Sequence, residues 1–426
     1  MPNCLFIGVD VALKGNQFCV MNFDQHVYFN LKFPNNPEGN NMVIDKIKDI
    51  EDKFFFEKII IVMESTGMYS FHPACYLSSN EYLNNFHTEV YQINACDFDK
   101  YKKSFHDLEK EDGIDAYILA DYARVGRTKS LYPFRGSQYI ALQRLTRQRY
   151  HICKELIREK TYVMTNLYLS FSGLLSLNKN ELPFSNMFGA TSSAILEEFI
   201  SPDQIAESSI EELMNFISSK GKNHTKNPEN KVNALQKAIR SSYRLDQTAY
   251  EPINIAIASS INTIKFHQEQ LKNIDKAILN TVLGLDSNVY NILLSIRGIG
   301  KVYAAGIMAE IGNIDRFPHN SKLAKYAGLY WKRNQSGEFD SQDKKSSKKS
   351  NKYLRYYLIE ATASCVRQGF PFIKDFYNIK YNEVTKHQHK RALVLSARKL
   401  ERLIFGLLRK NQYYKPLNSV QNSKNI

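Results

Sequence analysis

What the sequence lacks narrows it first. Its longest purely aliphatic stretch, Ile59 to Met63, falls far short of the roughly 18 residues that a membrane span needs, so no membrane partner is expected. No charged segment followed by a long apolar run opens the chain, and Asp10 would interrupt any such run. A signal peptide is therefore not expected, and the localisation reads as cytoplasmic. The six cysteines (Cys4, Cys19, Cys75, Cys96, Cys153 and Cys365) include no C-x-x-C pair and no neighbouring histidine pattern. Neither a zinc site nor a disulfide framework is suggested, and they read as buried thiols. Acidic residues are scarce only in the last third: from Asp286 onward 26 Lys and Arg face 10 Asp and Glu, against 31 and 33 in the first 285 residues. The formal charge of +14 thus belongs to the C-terminal third. That asymmetry favours a polyanion partner, most simply nucleic acid; a solvated lysine-rich surface is the other reading of charge alone.

At 426 residues the chain can hold two or three domains, and 43% hydrophobic residues is ordinary for a globular protein. It opens with Leu5-Phe6-Ile7-Gly8-Val9-Asp10, a short apolar run that reads as a buried strand ending on a carboxylate. Gln17 to Phe23 and Val27 to Phe33 follow as strands of an antiparallel meander, and a helical pattern beyond Pro37 ends near Ile50. Ile59 to Met63 is a strand of the doubly buried kind, with Glu64-Ser65-Thr66-Gly67 directly after it. Phe71 to Leu83 reads as a helix, His87 to Ile93 as a strand, and a long amphipathic helix starts near Asp112. The class is α/β with a mixed sheet. Ligands collect at the carboxyl ends of strands in such sheets, so Asp10 and Glu64 are expected to be neighbours.

Lys110 to Ala116 supplies two more acids. Asp112 and Asp115, three residues apart, fall on one face of a helix. Gly113 between them then sits in a helical turn, at a cost of ~1 kcal/mol relative to Ala. Taken alone, Asp112 reads as an N-cap and Asp115 as a first-turn residue favoured by the helix dipole. Taken with Asp10 and Glu64, four acids match the oxygen ligands that two hard divalent cations require.

From Leu142 a long helix carries Leu145, Ile152, Leu156, Val163 and Leu167 at spacings built from three and four, and Ile257, Ile261, Ile264, Leu271, Ile274 and Ile278 form a second stripe at heptad-like spacing. Their spacing predicts an antiparallel coiled coil or an oligomer interface, with core packing inside one chain as the alternative. A shorter helical region, Ser192 to Ser218, and a Gly/Lys/Asn/Pro loop, Gly221 to Asn230, lie between them as an excursion.

In the basic third, Arg297-Gly298-Ile299-Gly300-Lys301 joins two helical patterns and resembles a helix-hairpin-helix, whose glycines let backbone N–H groups approach a DNA phosphate. A plain packing joint is the bland reading. Tyr326-Ala327-Gly328-Leu329 is followed by Trp331 to Gly337, which contains Arg333 and Ser336-Gly337, in itself a turn signal. The run from Lys344 to Arg355 holds Lys344, Lys345, Lys348, Lys349, Lys352 and Arg355 interleaved with Ser346, Ser347, Ser350 and Asn351, all donors to phosphate oxygens.

The four acids, the Gly-Ile-Gly hairpin, Tyr326 to Leu329, Gln335-Ser336-Gly337 and the run Ser347 to Arg355 occur in an order that resembles the IS-one-ten family of insertion-sequence transposases, also called DEDD transposases. The resemblance spans residues from about 5 to about 410. It implies a RuvC-like domain of the RNase H superfamily over 1–140, a helical coiled-coil middle over 141–285 and a mainly α-helical C-terminal transposase domain with a helix-hairpin-helix-like motif over 286–412. A tail over 413–426 is expected to be disordered. Carried over by motif, Asp10, Glu64, Asp112 and Asp115 match the acidic tetrad, with Mg2+ or Mn2+ as cofactor, and Ser336 matches a nucleophilic serine. Arg297, Gly298, Gly300, Lys301, Arg333 and the six basic residues of the Lys344 to Arg355 run are the expected nucleic-acid contacts. The family is implied to act as a dimer or tetramer on element ends and target DNA, under the guidance of a structured bridge RNA, and to be nucleoid-associated when DNA-bound. The rivals are a junction-resolving nuclease in which water attacks and Ser336 is a turn residue, and a non-catalytic nucleic-acid-binding protein. A tyrosine nucleophile among Tyr353, Tyr356 and Tyr357 is a variant.

Overall fold

The computed structural model describes every residue except 1–2, 66, 106–112, 132, 135, 179, 185, 200, 222–226, 286, 331–334, 337–338, 341–349 and 417–426, together with all side chains but those at 96, 130, 247, 287, 335–336 and 339–340. The chain divides into two compact units: Met1–Gln143 with Thr281–Ile426, and Arg144–Asn280.

The first unit begins with a five-stranded mixed sheet, in the order β3-β2-β1-β4-β5. Strands β1 (Cys4–Val11), β2 (Gly15–Met21) and β3 (Val27–Pro34) form the expected antiparallel meander, while β4 (Lys58–Glu64) and β5 (Glu89–Ile93) add parallel neighbours beside β1. Period-two alternation divides the side chains between two cores. Leu5, Ile7 and Val9 with Ile59, Ile61 and Met63 face one core, which α1 (Pro37–Glu51) covers with Val43, Ile44, Ile47 and Ile50. Phe6, Ile60 and Val62 face the other, which α5 (Ile114–Arg124) covers with Ala116, Ile118, Leu119 and Ala120. Burying each large aliphatic side chain stabilises by roughly 1.5–3 kcal/mol, so strand register is strongly specified here.

The expected helix over Phe71 to Leu83 is two, α2 (Phe71–Ser79) and α3 (Glu81–Asn84), because Asn80 turns extended and its side chain caps Leu83 N–H. A further helix, α4 (Ala95–Lys102), precedes α5. Helix α5 starts two residues later than expected and is only 11 residues long.

The C-terminal part of this unit contains α13 (Ser287–Leu294), α14 (Lys301–Ile311), α15 (Asn320–Tyr326), α16 (Lys352–Arg367), α17 (Pro371–Asn382) and α18 (Gln388–Lys410). Ile292, Ile307, Leu323, Leu358, Ile373 and Leu400, from six different helices, share its core. Between α15 and α16 lies a two-stranded ladder of β6 (Gln335–Ser336) and β7 (Phe339–Asp340). The polar tail does not begin free: Tyr414 N–H donates to Ser295 Oγ at 2.8 Å, and its ring meets Phe370 edge-on at 5.2 Å.

The second unit is built on two long helices, α6 (Ser137–Ser170) and α12 (Gln247–Leu283), with α7 (Ser172–Ser176), α8 (Ala190–Glu198), α9 (Pro202–Glu207), α10 (Ile210–Lys220) and α11 (Pro228–Arg240) between them in sequence. Arg149, early in α6, pairs with Asp275, late in α12, at 2.6 Å, while Val163 and Leu167 share a core with Ile257, Ile261 and Ile264. The two stripes therefore run antiparallel within one chain. The region expected as an excursion supplies Ile195, Leu196, Leu213, Ile217, Val232 and Leu235 to that same core. No helix among the described residues is long and apolar enough to cross a membrane.

Candidate acidic site and nucleic-acid interface

Register places two of the acids. Val9 pairs with Met63 in the parallel β1–β4 ladder, so Asp10 and Glu64 are the next residues on adjacent strands. By alternation both lie on the face that α5 covers. Helix α5 approaches so closely that a Cβ on Gly8 would lie 1.9 Å from the Ala116 carbonyl oxygen and 2.4 Å from Ala120 N. Asp115, the residue before Ala116, is thus delivered over Asp10. The Asp10 carboxyl is raised above its usual pKa, first by burial and then by the Asp115 charge, with Lys102 and Lys32 partly offsetting. Two hard oxygen donors repelling each other in a half-buried place fit a divalent cation.

The third acid is held by a network that sequence reasoning missed. Lys102, the last residue of α4, forms an ion pair with Asp115. Helix α4 is tied to α5 beside it: Tyr101 OH donates to Asp121 Oδ2 at 2.6 Å, and Arg124 donates to Asp121 Oδ1 from Nε and Nη2 at 2.9 and 2.6 Å. From the sheet, Gln17 Nε2 donates to Asn30 Oδ1 at 2.9 Å, and Asn30 Nδ2 donates to the Gly113 carbonyl at 3.1 Å. Gln17 faces Asp10 in the β1–β2 register. Gly113 is the N-cap of α5 with φ of 117°, not a residue inside a helical turn, and a Cβ there would meet Asn30 Nδ2 at 2.8 Å. Left-handed backbone and lack of space, rather than a tolerated cost, are why glycine stands there. Asp112 lies outside the described residues, and among the described ones no group of three or more His, Cys, Asp and Glu forms a metal cluster.

In the basic third, α13 and α14 are joined by the Gly-Ile-Gly turn as expected, and its two glycines differ. Gly298, with φ of 98°, packs its backbone on α16, where a Cβ would lie 2.5 Å from Cys365 Cα. Gly300 is the N-cap of α14 with nothing within 4 Å of such a Cβ, and Arg297, Gly300 and Lys301 are exposed. Lys352 is exposed with its ammonium 5.1 Å from the Tyr353 ring centroid. Arg355 is partly buried, which lowers its pKa, and Nη1 donates to the Gly328 carbonyl. Arg333, Lys344, Lys345, Lys348 and Lys349 lie outside the described residues, as does the side chain of Ser336, whose backbone belongs to β6. Asn351 does not present a free amide for phosphate: it caps α16 and is bonded inward.

A mixed sheet followed by a mostly helical remainder is compatible with a RuvC-like DEDD domain. A DEDD-type family model described as Transposase matches residues 7–171, and one described as Transposase IS116/IS110/IS902 family matches residues 290–378. The chain belongs to the IS110 (IS-one-ten) family of insertion-sequence transposases, which supports a role as a DNA transposase or recombinase. No curated protein matches it.

Proposed function

We propose that this transposase cuts and rejoins DNA strands through a serine–DNA intermediate, with Asp10, Glu64, Asp112 and Asp115 as the carboxylate set and Ser336 as the nucleophile. The observation that supports it most is the close approach of α5, which carries Asp115, onto Gly8 of β1, on the sheet face that Asp10 shares with Glu64. These carboxylates would hold Mg2+ or Mn2+, which when bound would offset charge developing on the scissile phosphate. The Ser336 Oγ–phosphorus bond forms as the bond from phosphorus to the leaving deoxyribose oxygen breaks, and the serine proton ends on that oxygen. A hydroxyl of a second DNA end then displaces serine by the reverse exchange. Arg333, three residues from Ser336, helps neutralise the phosphate. The open N-terminus of α14 at Gly300, with Arg297 and Lys301, and the Lys344 to Arg355 run position the DNA backbone. Guidance by a bridge RNA and assembly as a dimer or tetramer rest on the family resemblance.

The test is the covalent adduct. Ser336→Ala abolishes it, whereas a nuclease using water makes no adduct in either protein. Persistence of the adduct in Ser336→Ala would refute the assignment. If the serine of one chain serves the acids of another, mixing Asp10→Ala and Ser336→Ala chains restores strand exchange that neither supports alone. Failure to complement removes only that arrangement in trans. Sequencing the nucleic acid that co-purifies with the chain identifies any guide RNA.

A further inference from the structure

One oxygen of the acidic site is out of keeping with the rest. Among the described residues, Asp115 Oδ1 is shut off from solvent and accepts no hydrogen bond, although the side chain as a whole is 34% exposed. The Lys102 ammonium lies against that oxygen in ion-pair contact, without the geometry of a hydrogen bond. A water-excluded carboxylate oxygen with no donor is unfavourable unless a cation matches its charge, and a cation needs no particular direction to do so. The same ammonium acts on Asp10, and of the two lysines that offset its burial Lys102 has the larger effect and Lys32 the smaller. One side chain therefore serves both carboxylates.

Lys102 reaches Asp115 from the last residue of α4, and the seat of α4 does not depend on it. Phe98 is buried in the core that α5 covers, Tyr101 OH donates to Asp121 Oδ2 at 2.6 Å, and the Tyr101 ring meets the Tyr122 ring edge-on at 5.0 Å and the Arg127 guanidinium at 5.0 Å. The Lys102 side chain is 44% exposed on a flexible four-carbon stem. It can swing into water while the helix stays where it is. An ion pair this open is weakly held, and a divalent ion, with twice the charge and a preference for hard oxygen ligands, outcompetes an ammonium there.

We infer that Lys102 is a resident counter-cation: in the metal-free chain its ammonium matches the charge of Asp115 and Asp10, and it leaves into solvent when a divalent cation binds these carboxylates, an inference that rests on their being the metal-holding set. The acids are thereby kept together without metal. A site that is competent only while the ion pair is open binds its ligand more weakly by that open fraction, so Lys102 sets the Mg2+ concentration at which the acids load.

The experiment uses the full chain without DNA. Free Mn2+ is followed by electron paramagnetic resonance, and Asp10→Asn marks which part of the binding belongs to the acids. Lys102→Met is expected to bind Mn2+ there about fivefold more tightly. Lys32→Met removes an equal charge with a smaller effect on Asp10, and should change that affinity less than about twofold. In the unaltered chain, acetylation of Lys102 by a limiting amine-reactive reagent, read by mass spectrometry, should speed about fivefold at saturating Mg2+. In Asp115→Asn it should be fast with or without Mg2+, and exposed Lys103 beside it should keep one rate throughout. Acetylation of the unaltered chain decides the matter if Lys102→Met proves unfolded. Unchanged or weaker Mn2+ binding in folded Lys102→Met overturns the displacement, as does a Lys102 acetylation rate indifferent to Mg2+ while Mn2+ binding depends on Asp10. If Asp10→Asn and Asp115→Asn both bind Mn2+ as the unaltered chain does, the carboxylate reading itself fails and the displacement falls with it.

Discussion

In the N-terminal sheet, Asp10 and Glu64 stand at the ends of adjacent parallel strands whose register is set by two buried faces, and α5 lies on Gly8 with no side chain between. In the C-terminal helices, Ser336 stands on a two-residue strand between α15 and α16, whose arms are joined by Glu310, Tyr326, Asn351 and Arg355. The first region is held by close backbone approach and the second by buried polar side chains. The sheet should therefore be sensitive to a Cβ added at Gly8, while the junction of α15 and α16 should be sensitive to loss of the Asn351 and Arg355 hydrogen bonds.

The largest effects test both regions at once. Asp10→Ala and Ser336→Ala are each expected to reduce strand transfer by roughly 10⁴-fold or more, as when one member of a catalytic unit is deleted. Strand transfer by Asp10→Ala at a tenth of the normal rate would remove the sheet from the chemistry. Next, replacing Lys344, Lys345, Lys348 and Lys349 by Ala should weaken DNA binding about 10²- to 10³-fold across unrelated sequences. It should also make the plot of log affinity against log salt less steep by about 3. An unchanged salt slope takes this run out of the interface.

Two smaller effects sharpen the contrast in stability. Gly8→Ala puts a methyl group 1.9 Å from the Ala116 carbonyl oxygen, and about 3 kcal/mol of destabilisation is expected in urea titrations. Gly300→Ala, with open space around it, should cost less than about 1 kcal/mol, and equal costs at the two sites would break the comparison. The smallest effect concerns Glu401 of α18, fully buried beside Arg398, whose carboxyl burial pushes up to about 7 from an ordinary 4.5. A folded pKa above the unfolded one means stability that is present at low pH and lost as pH rises through 7. About 2 kcal/mol should disappear between pH 5 and 8, and Glu401→Gln should flatten that slope. A slope unchanged by Glu401→Gln would assign it to other groups.

The short apolar run Leu5 to Asp10 and the aliphatic run Ile59 to Met63 were enough to define buried strands ending on acids, because a strand covered on both faces reads as a continuous apolar stretch. The Gly-Ile-Gly joint and the two long apolar stripes were legible because local periodicity reports which face is buried. Family membership followed from the order of motifs along the chain and is matched over residues 7–171 and 290–378. Tertiary structure alone decided what depends on partners remote in sequence. Gly8 marks the approach of a helix more than 100 residues away, a glycine in a buried strand being its one local sign. Gly113 is a left-handed cap because Asn30, 83 residues earlier, takes its carbonyl. The long stripes find each other inside one chain because the helices between them complete their core. Glu310 and Asn351, 41 residues apart, become a pair only when α14 and α16 pack, since hydrogen-bond partners leave no periodic trace in a sequence, whereas burial does.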